Sequence, residues 1–435
     1  MLDIQFIREN KDLVAEKAKQ KGYDVDIEKL LSVDEERKNL LKEIEQIRAQ
    51  RNELVATTKG QKPNDQHIVD GRMLKSKLVK LEASLAPVDK KYFNLLKLVP
   101  NMPGDDVPQG KSEADNVVIK EVGQKTKFDF EPKSHWQIGD IKDWIDKDRA
   151  AKISGSRFAY IKGNLARLQF AIIQFVVDTL CDEKIIQEII NNEGLALKPA
   201  PFVFILPPAM IKTSVFEAMD RLDPRDDRYK VGEAEDDLWL QGSAEHTIGS
   251  MHINEILPES IMPLRYLGYS SSFRREAGTY GKDTEGIIRM HQFDKLEMEV
   301  FSTSETGMDE HKFLIAIQEY MMKKLALPYH VLLKCTADIG KPNVRGVDIE
   351  AWMPAQKKHR ETHTADYMSD YQTRRLKTRV RRKDGVVTLA HTNDATAFAL
   401  GRLMAVIIEN NQTKEGNVRI PDVLKKYLPS FGETL

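Results

Sequence analysis

At 435 residues the chain is long enough for two or three domains, and its 41% hydrophobic content allows a large core. With 66 basic against 67 acidic residues there is no net pull towards polyanions, so nucleic-acid binding would rest on local basic patches. Two cysteines far apart in sequence, Cys181 and Cys335, argue for free thiols in a reducing cytoplasm, and no membrane-length apolar run or signal-peptide pattern is present.

Residues 1 to about 110 carry almost no strand signal. Leu40, Ile44, Ile47, Arg51 and Leu54 recur at spacings of four and three; Leu74, Leu78, Leu81, Leu85, Val88, Tyr92, Leu95 and Val99 repeat the pattern. That is a heptad seam on two helices, interrupted by the turn-like KGQKPND from Lys59 to Asp65. It predicts an antiparallel helical hairpin whose longer arm spans about 45–50 Å, kinked at Pro87, which lacks a backbone donor. Periodicity alone favours a dimerisation or spacer element. Basic residues off the seam (Lys38, Lys42, Arg48, Arg72, Lys75, Lys77, Lys80) offer phosphate contacts, but acidic residues interleave with them, so a solvated face stands as the alternative.

Pro100 to about Pro132 reads as a linker, rich in Pro, Gly and Asp. From His135 the composition is globular, and a Gly/Ser turn, KISGSRF, precedes a strand and an amphipathic helix. That turn lacks the glycine spacing of a phosphate loop, so it reads as structural. Gly194 to Lys212 is a long apolar strand closing in Pro207 and Pro208, and the next stretch, SVFEAMDRLDPRDDRY, has no assignable role. In LQGSAEHTIGSMH, Ser243 and Glu245 near a turn would ordinarily be a helix cap.

The segment LRYLGYSSSFRRE, a mobile Gly-rich loop and GIIRMHQFDKLEMEVF read as two strands. Side chains alternate with period two, so Arg289, His291, Phe293, Lys295 and Glu297 share one face, against Ile288, Met290, Leu296 and Met298. Arg274 and Glu276 share a parity on the first strand. A salt-bridged, solvated strand pair is the plain reading; an aromatic set among charges points to a nucleotide site, with Phe293 on a base and Arg274 on a phosphate.

FRREAG…GKDTEGIIRMHQFDKLE resembles motif 2 of class II aminoacyl-tRNA synthetases, in the form found in seryl-tRNA synthetases, and the resemblance runs from Met1 to about Leu428. Several stretches take on meaning through it. The Pro207–Pro208 strand is similar to motif 1, which builds the dimer interface. LQGSAEH corresponds to the family's Thr-Ala-Glu loop with Ser243 in place of threonine. The helical hairpin corresponds to the arm that recognises the long variable arm of serine tRNA. SVFEAMDRLDPR departs from the family's usual segment at that point.

In DIEAWMPAQKKHRETHTADYMSDYQTRR, Glu361 and Thr364 occupy the positions of the family's metal-binding glutamate and serine. Arg374 to Lys383 holds seven basic residues in ten. As a strand it would align Arg375, Lys377, Arg379 and Arg381, either as a charged sheet edge or as a tRNA-facing patch. HTNDATAFALGRLMAVIIENNQ resembles motif 3, with Asp394 where the family usually has asparagine and Thr396 where it has serine or threonine. Arg402 is the only charge from Ala395 to Ile408. So apolar a helix calls for an anion beside it, either an internal carboxylate or, by the resemblance, the γ-phosphate of ATP.

The resemblance implies an α+β protein: a helical tRNA-binding arm over residues 1–110, a linker over 111–134 and a class II catalytic domain over 135–435, with an antiparallel sheet flanked by helices. It implies a cytoplasmic homodimer that activates L-serine with ATP and Mg²⁺ and transfers it to serine tRNA, with selenocysteine tRNA left open as a further acceptor. The implied ATP residues are Arg274, Glu276, Phe293, Glu361, Thr364 and Arg402, with Arg274 and Arg402 catalytic and Glu361 with Thr364 on the metal. The implied serine residues are Ser243, Glu245, Glu297, Asp394 and Thr396, with Glu297 on the ammonium group. No Cys/His zinc cluster is present in the sequence. Two other readings stand: a ligase that charges a carrier protein, and a non-catalytic RNA-binding paralogue.

Overall fold

The computed structural model describes residues 1–57, 64–233, 235–277 and 285–435. Most of the turn read at Lys59 to Asp65, and the Gly-rich loop from 278 to 284, lie outside the described residues. The chain forms two compact units that divide between Met102 and Pro103.

The first unit is helical. Helix α1 (Ile27–Thr57) packs on α2 (Asp65–Leu98), with Ile44, Ile47 and Leu78 buried between them and Leu74, Leu81 and Leu85 against these. Arg37 meets Asp89 at 2.5 Å and Arg48 meets Glu82 at 2.8 Å, the order of an antiparallel pair. Thus two of the off-seam cations have partners inside the hairpin, since Lys38 also lies 3.3 Å from Asp34. Pro87 lies within α2, which continues through it.

The second unit is built on an eight-stranded sheet. Its strands are β1 (Val117–Val122), β2 (Val203–Ile205), β3 (Leu264–Phe273), β4 (Gln292–Ser302), β5 (Tyr329–Leu333), β6 (Arg345–Met353), β7 (Lys358–Ser369) and β8 (His391–Ala399). The order across the sheet is β1-β5-β6-β7-β8-β4-β3-β2. Every pairing is antiparallel except β2 with β3. So Val117–Val122, inside the stretch read as linker, is an edge strand of this sheet, and the apolar strand before Pro207 is only three residues long.

Helices α3 (Gly163–Leu180), α4 (Glu183–Asn192), α5 (Gly307–Lys324) and α6 (Leu400–Asn411) bury their apolar sides on one face of the sheet. Leu296, Met298, Val347, Ile349, Ala365, Ala395 and Ala397 supply that face. The other face is left for polar chemistry. Among the described residues, no helix is long and apolar enough to cross a membrane.

Candidate active site

Alternation sorts the central strands into a core face and a site face. On β4, Phe293, Lys295, Glu297 and Glu299 take one side while Leu296, Met298 and Val300 join the core. On β8, Asp394 and Thr396 alternate with Ala395 and Ala397. Two bulges then change the parity. Glu350 pairs with Glu361 and Ile349 with His363, leaving Thr362 as the extra residue on β7. Likewise Leu296 pairs with Phe398 and Glu297 with Thr396, leaving Ala397 extra on β8. Glu361 and Thr364, three apart on one strand, therefore line the same cavity.

That cavity holds about 220 Å³ and is lined by Arg274, Glu276, Phe293, Glu361, Thr364 and Arg402 together with Glu245, Glu297, Asp394 and Thr396. Ser243, behind the wall, donates from Oγ to Glu297 Oε2 at 3.2 Å. All eleven residues singled out in the sequence thus belong to one constellation.

At the end expected for the amino acid, Lys295 Nζ lies 2.5 Å from Glu297 Oε2 and 3.8 Å from Glu245 Oε2, and donates to Ser243 Oγ at 3.1 Å. Thr396 Oγ1 donates to Glu297 Oε1 at 3.4 Å. Burial pushes the Glu297 carboxyl up to about 7, against the pull of Lys295 and with a further push from Glu245. Burial acts on Glu245 too, but Lys295, His246 and Arg221 together outweigh it and hold that carboxyl below its ordinary range. Glu297 is therefore the carboxyl of this group that titrates near neutrality. Burial opposes ionisation of Asp394, and the Arg221 guanidinium, 2.7 Å away, favours it.

At the end expected for the nucleotide, the Arg274 guanidinium stands 5.4 Å from the centre of the Phe293 ring, and its Nε donates to the Gly242 carbonyl at 3.0 Å. Glu276 sits at φ 53° and pairs with Arg289. Arg402 Nη1 donates to the Glu361 carboxylate at 2.8 Å and to its carbonyl at 3.0 Å. The anion beside the lone arginine of this helix is thus an internal carboxylate. Burial opposes ionisation of Glu361, yet Arg402 and Lys334 hold its carboxyl below the usual value. Lys334 Nζ also lies 3.6 Å from Asp348, whose carboxyl burial pushes up to about 7.

Two local expectations are corrected. Arg289 and His291 precede β4, so they do not share its ladder, and Arg274 and Glu276 follow the end of β3. The basic run is not one strand: Tyr371–Leu376 is a short helix, Lys377 is left-handed, and only Arg379–Arg381 extends. Arg375 is turned inward, 3.0 Å from Asp220. Sequence reasoning also passed over Arg221, Lys334 and Asp366, all of which line the cavity. Lys334 and Asp366 had no local signal beyond strand parity, and Arg221 lies in the stretch with no assignable role.

Residues 229–411 match the family described as tRNA synthetase class II core domain (G, H, P, S and T), and residues 1–103 match the Seryl-tRNA synthetase N-terminal domain. The chain is 38% identical to the serine–tRNA ligase of Thermodesulfovibrio yellowstonii over 437 residues, covering 98% of this chain and 99% of that one. It is similar to the crystal structure of seryl-tRNA synthetase from Pyrococcus horikoshii complexed with ATP, with a TM-score of 0.85, 34% identity and coverage of 99% and 98%. The cytoplasmic serine–tRNA ligase of Naegleria fowleri in complex with AMP shares the fold at a TM-score of 0.83 and 24% identity, with coverage of 100% and 98%.

Proposed function

The chain belongs to the seryl-tRNA synthetases, and from that membership and the cavity we infer how its residues activate L-serine with ATP and pass it to serine tRNA. One observation carries the reading: a single sheet face joins carboxylates suited to an ammonium group with arginines suited to phosphates. Serine's carboxylate attacks the α-phosphorus of ATP, and the bond to the β-phosphate oxygen breaks, giving seryl-adenylate and pyrophosphate. The 3′-hydroxyl of the terminal adenosine then attacks the seryl carbonyl, and AMP leaves. Both steps call for positioning and charge stabilisation more than covalent help.

In this account Arg274 takes the α-phosphate, with its plane held by the Gly242 carbonyl, and Phe293 stacks on adenine. Glu276 orients the nucleotide, and Arg402 turns from Glu361 to the γ-phosphate. Glu297 takes the serine ammonium group, while Ser243, Glu245, Asp394 and Thr396 complete the pocket. Among the described residues, no group of three or more His, Cys, Asp or Glu is arranged to cage a metal. Mg²⁺ commonly keeps its waters and binds through one or two carboxylates plus substrate phosphates. Glu361 and the buried hydroxyl of Thr364, which makes no well-formed hydrogen bond among the described residues, fit that role. When bound there, Mg²⁺ neutralises charge on the phosphates.

The protein acts as a cytoplasmic homodimer in this reading. The edge strand β2 and its surroundings leave Val203, Phe204, Leu206 and Met210 exposed, an apolar edge suited to a second copy. The hairpin arm, spanned by the N-terminal family match, favours tRNA over a carrier protein as acceptor.

Two outcomes follow. Removing the outer part of the hairpin between Leu40 and Leu85 keeps its base, where Arg37 pairs with Asp89 and stacks 4.7 Å from the Tyr92 ring. Charging of tRNA with labelled serine is expected to fall by about 100-fold or more, as for loss of several phosphate contacts, while adenylate formation stays near normal. Equal loss of both in the folded protein would contradict the division of labour. Thr396→Val keeps the shape and removes the hydroxyl beside Glu297. A pocket that bonds the substrate hydroxyl rejects alanine by roughly 10⁴-fold, whereas an added methyl is worth about 10–200-fold. This variant should therefore lower serine activation and narrow the gap to alanine, as read by adenylate formation with each amino acid. An unchanged serine-to-alanine ratio would place the hydroxyl contact elsewhere.

A further inference from the structure

Three carboxyl residues lie on one rung of the sheet. Glu299 on β4 pairs with Asp394 on β8, and Asp394 pairs with Asp366 on β7. All three are largely buried: Glu299 is 0%, Asp394 2% and Asp366 7% exposed. Residues directly opposite in antiparallel strands hold their Cβ atoms about 4.5–5.5 Å apart, and like charges there repel. Neither Glu299 oxygen has a hydrogen-bond partner among the described residues. On its own such a row is a poor neighbour for a pocket that must accept a carboxylate and a triphosphate.

The counter-charge comes from outside the sheet. Arg221 follows the short helix Thr213–Ala218, in the segment that departs from the family pattern, and its Nη2 reaches Asp394 Oδ2 at 2.7 Å. Its side chain is 17% exposed and lines the cavity beside Asp394. It acts electrostatically on Asp394, Glu245 and Asp366 together. The segment is itself anchored, because the neighbouring Asp220 is held by Lys341 at 3.2 Å and Arg375 at 3.0 Å. Arg221, from the stretch with no assignable role in the sequence, and Asp394 therefore meet in one largely buried ion pair.

We propose that Arg221 is a positioning residue of the serine pocket, where it pairs with Asp394 so that the two together do the work of one neutral polar side chain. This rests on the reading of the cavity as the serine site. Asparagine at position 394 alone takes from the Arg221 guanidinium its one hydrogen-bonded carboxylate and leaves it only the more distant Glu245 and Asp366. Removing Arg221 alone leaves Asp394 facing Glu299, Asp366 and Glu245. Removing both charges leaves the net charge of the wall as it is with the pair intact.

The test is serine-dependent exchange of labelled pyrophosphate into ATP by the full chain, with KM for serine and for ATP measured separately. Asp394→Asn and Arg221→Met should each raise KM for serine by about 30-fold or more, as for breaking one side of a buried pair. KM for ATP should move by no more than about threefold. The double variant should return to within about fivefold of the wild-type KM for serine, and Arg221→Lys, which keeps the charge, should fall between Arg221→Met and wild type. A wild-type-like KM for serine in Asp394→Asn, or a double variant no better than the worse single one, would overturn the proposal. So would a rescue seen only in melting temperature. Absence of exchange by the wild type would instead remove the serine reading itself, which keeps the two failures apart.

Discussion

Arg402→Ala should lower kcat/KM for ATP in pyrophosphate exchange by about 10²–10³-fold, the usual cost of removing one preorganised charge donor from a transition state. Two losses combine. The donor to the γ-phosphate goes, and the Glu361 carboxylate, held at 2.8 Å by Arg402, is left facing the same phosphates. Arg402→Lys should sit between, because an ammonium group keeps the charge but not the planar fork. Stability should hardly move. The Arg402 side chain is 25% and the Glu361 side chain 46% exposed, and ion pairs of that kind contribute about 0–1 kcal/mol. Near-normal exchange in a stable Arg402→Ala protein would make the arginine structural.

Glu297→Gln should harm activation of every amino acid alike, since the ammonium group is common to all. An increase in KM for serine of roughly 30-fold or more is expected for a buried charge-assisted contact. Lys295 keeps a partner in this variant, because Glu245 lies 3.8 Å away. The pH dependence gives a second handle. Burial places the Glu297 carboxyl at about 7, so below that pH it is protonated and holds an ammonium group poorly. Affinity for serine should fall as pH drops through about 7, and Glu297→Gln should flatten that limb. The sign for stability is the reverse of a normal salt bridge. A carboxyl whose folded-state pKa is raised binds its proton more tightly in the folded chain, so its contribution is fully present below the ordinary carboxyl value and is lost as pH rises to about 7. Melting of Glu297→Gln at pH 8 should thus be no lower than that of the wild type. A fully retained pH limb in the variant would assign the titration to another group.

Much of the site was legible because strand parity and charge placement are local. From Phe293 to Met298 the alternation holds, with Phe293, Lys295 and Glu297 on the cavity and Leu296 and Met298 in the core. It fails from Ile288 to His291 because that backbone is committed elsewhere. Ile287 N donates to His135 Nε2 at 3.3 Å, and His291 N donates to the Arg157 carbonyl at 2.9 Å. Gly286, at φ 66°, passes so near His135 that a Cβ there would lie 2.0 Å from Nε2. Such partners are more than a hundred residues away in sequence and leave no periodic trace. The bulge at Thr362 is equally silent, since strict alternation sets Glu361 and Thr364 on opposite faces. Arg221 could not be found from sequence for the same reason: its partner Asp394 lies on another element, and only the folded sheet joins them.

If this sheet face activates serine for tRNA, one experiment on the unmodified chain shows it. Exchange of labelled pyrophosphate into ATP by the wild-type chain, with serine, alanine, threonine or no amino acid, tests it most directly when followed by addition of tRNA. The expected result is exchange with serine that exceeds exchange with alanine by about 10⁴-fold, and release of AMP with labelled seryl-tRNA once tRNA is added. Exchange that ignores the identity of the amino acid, or a seryl-adenylate that tRNA never discharges, would contradict it.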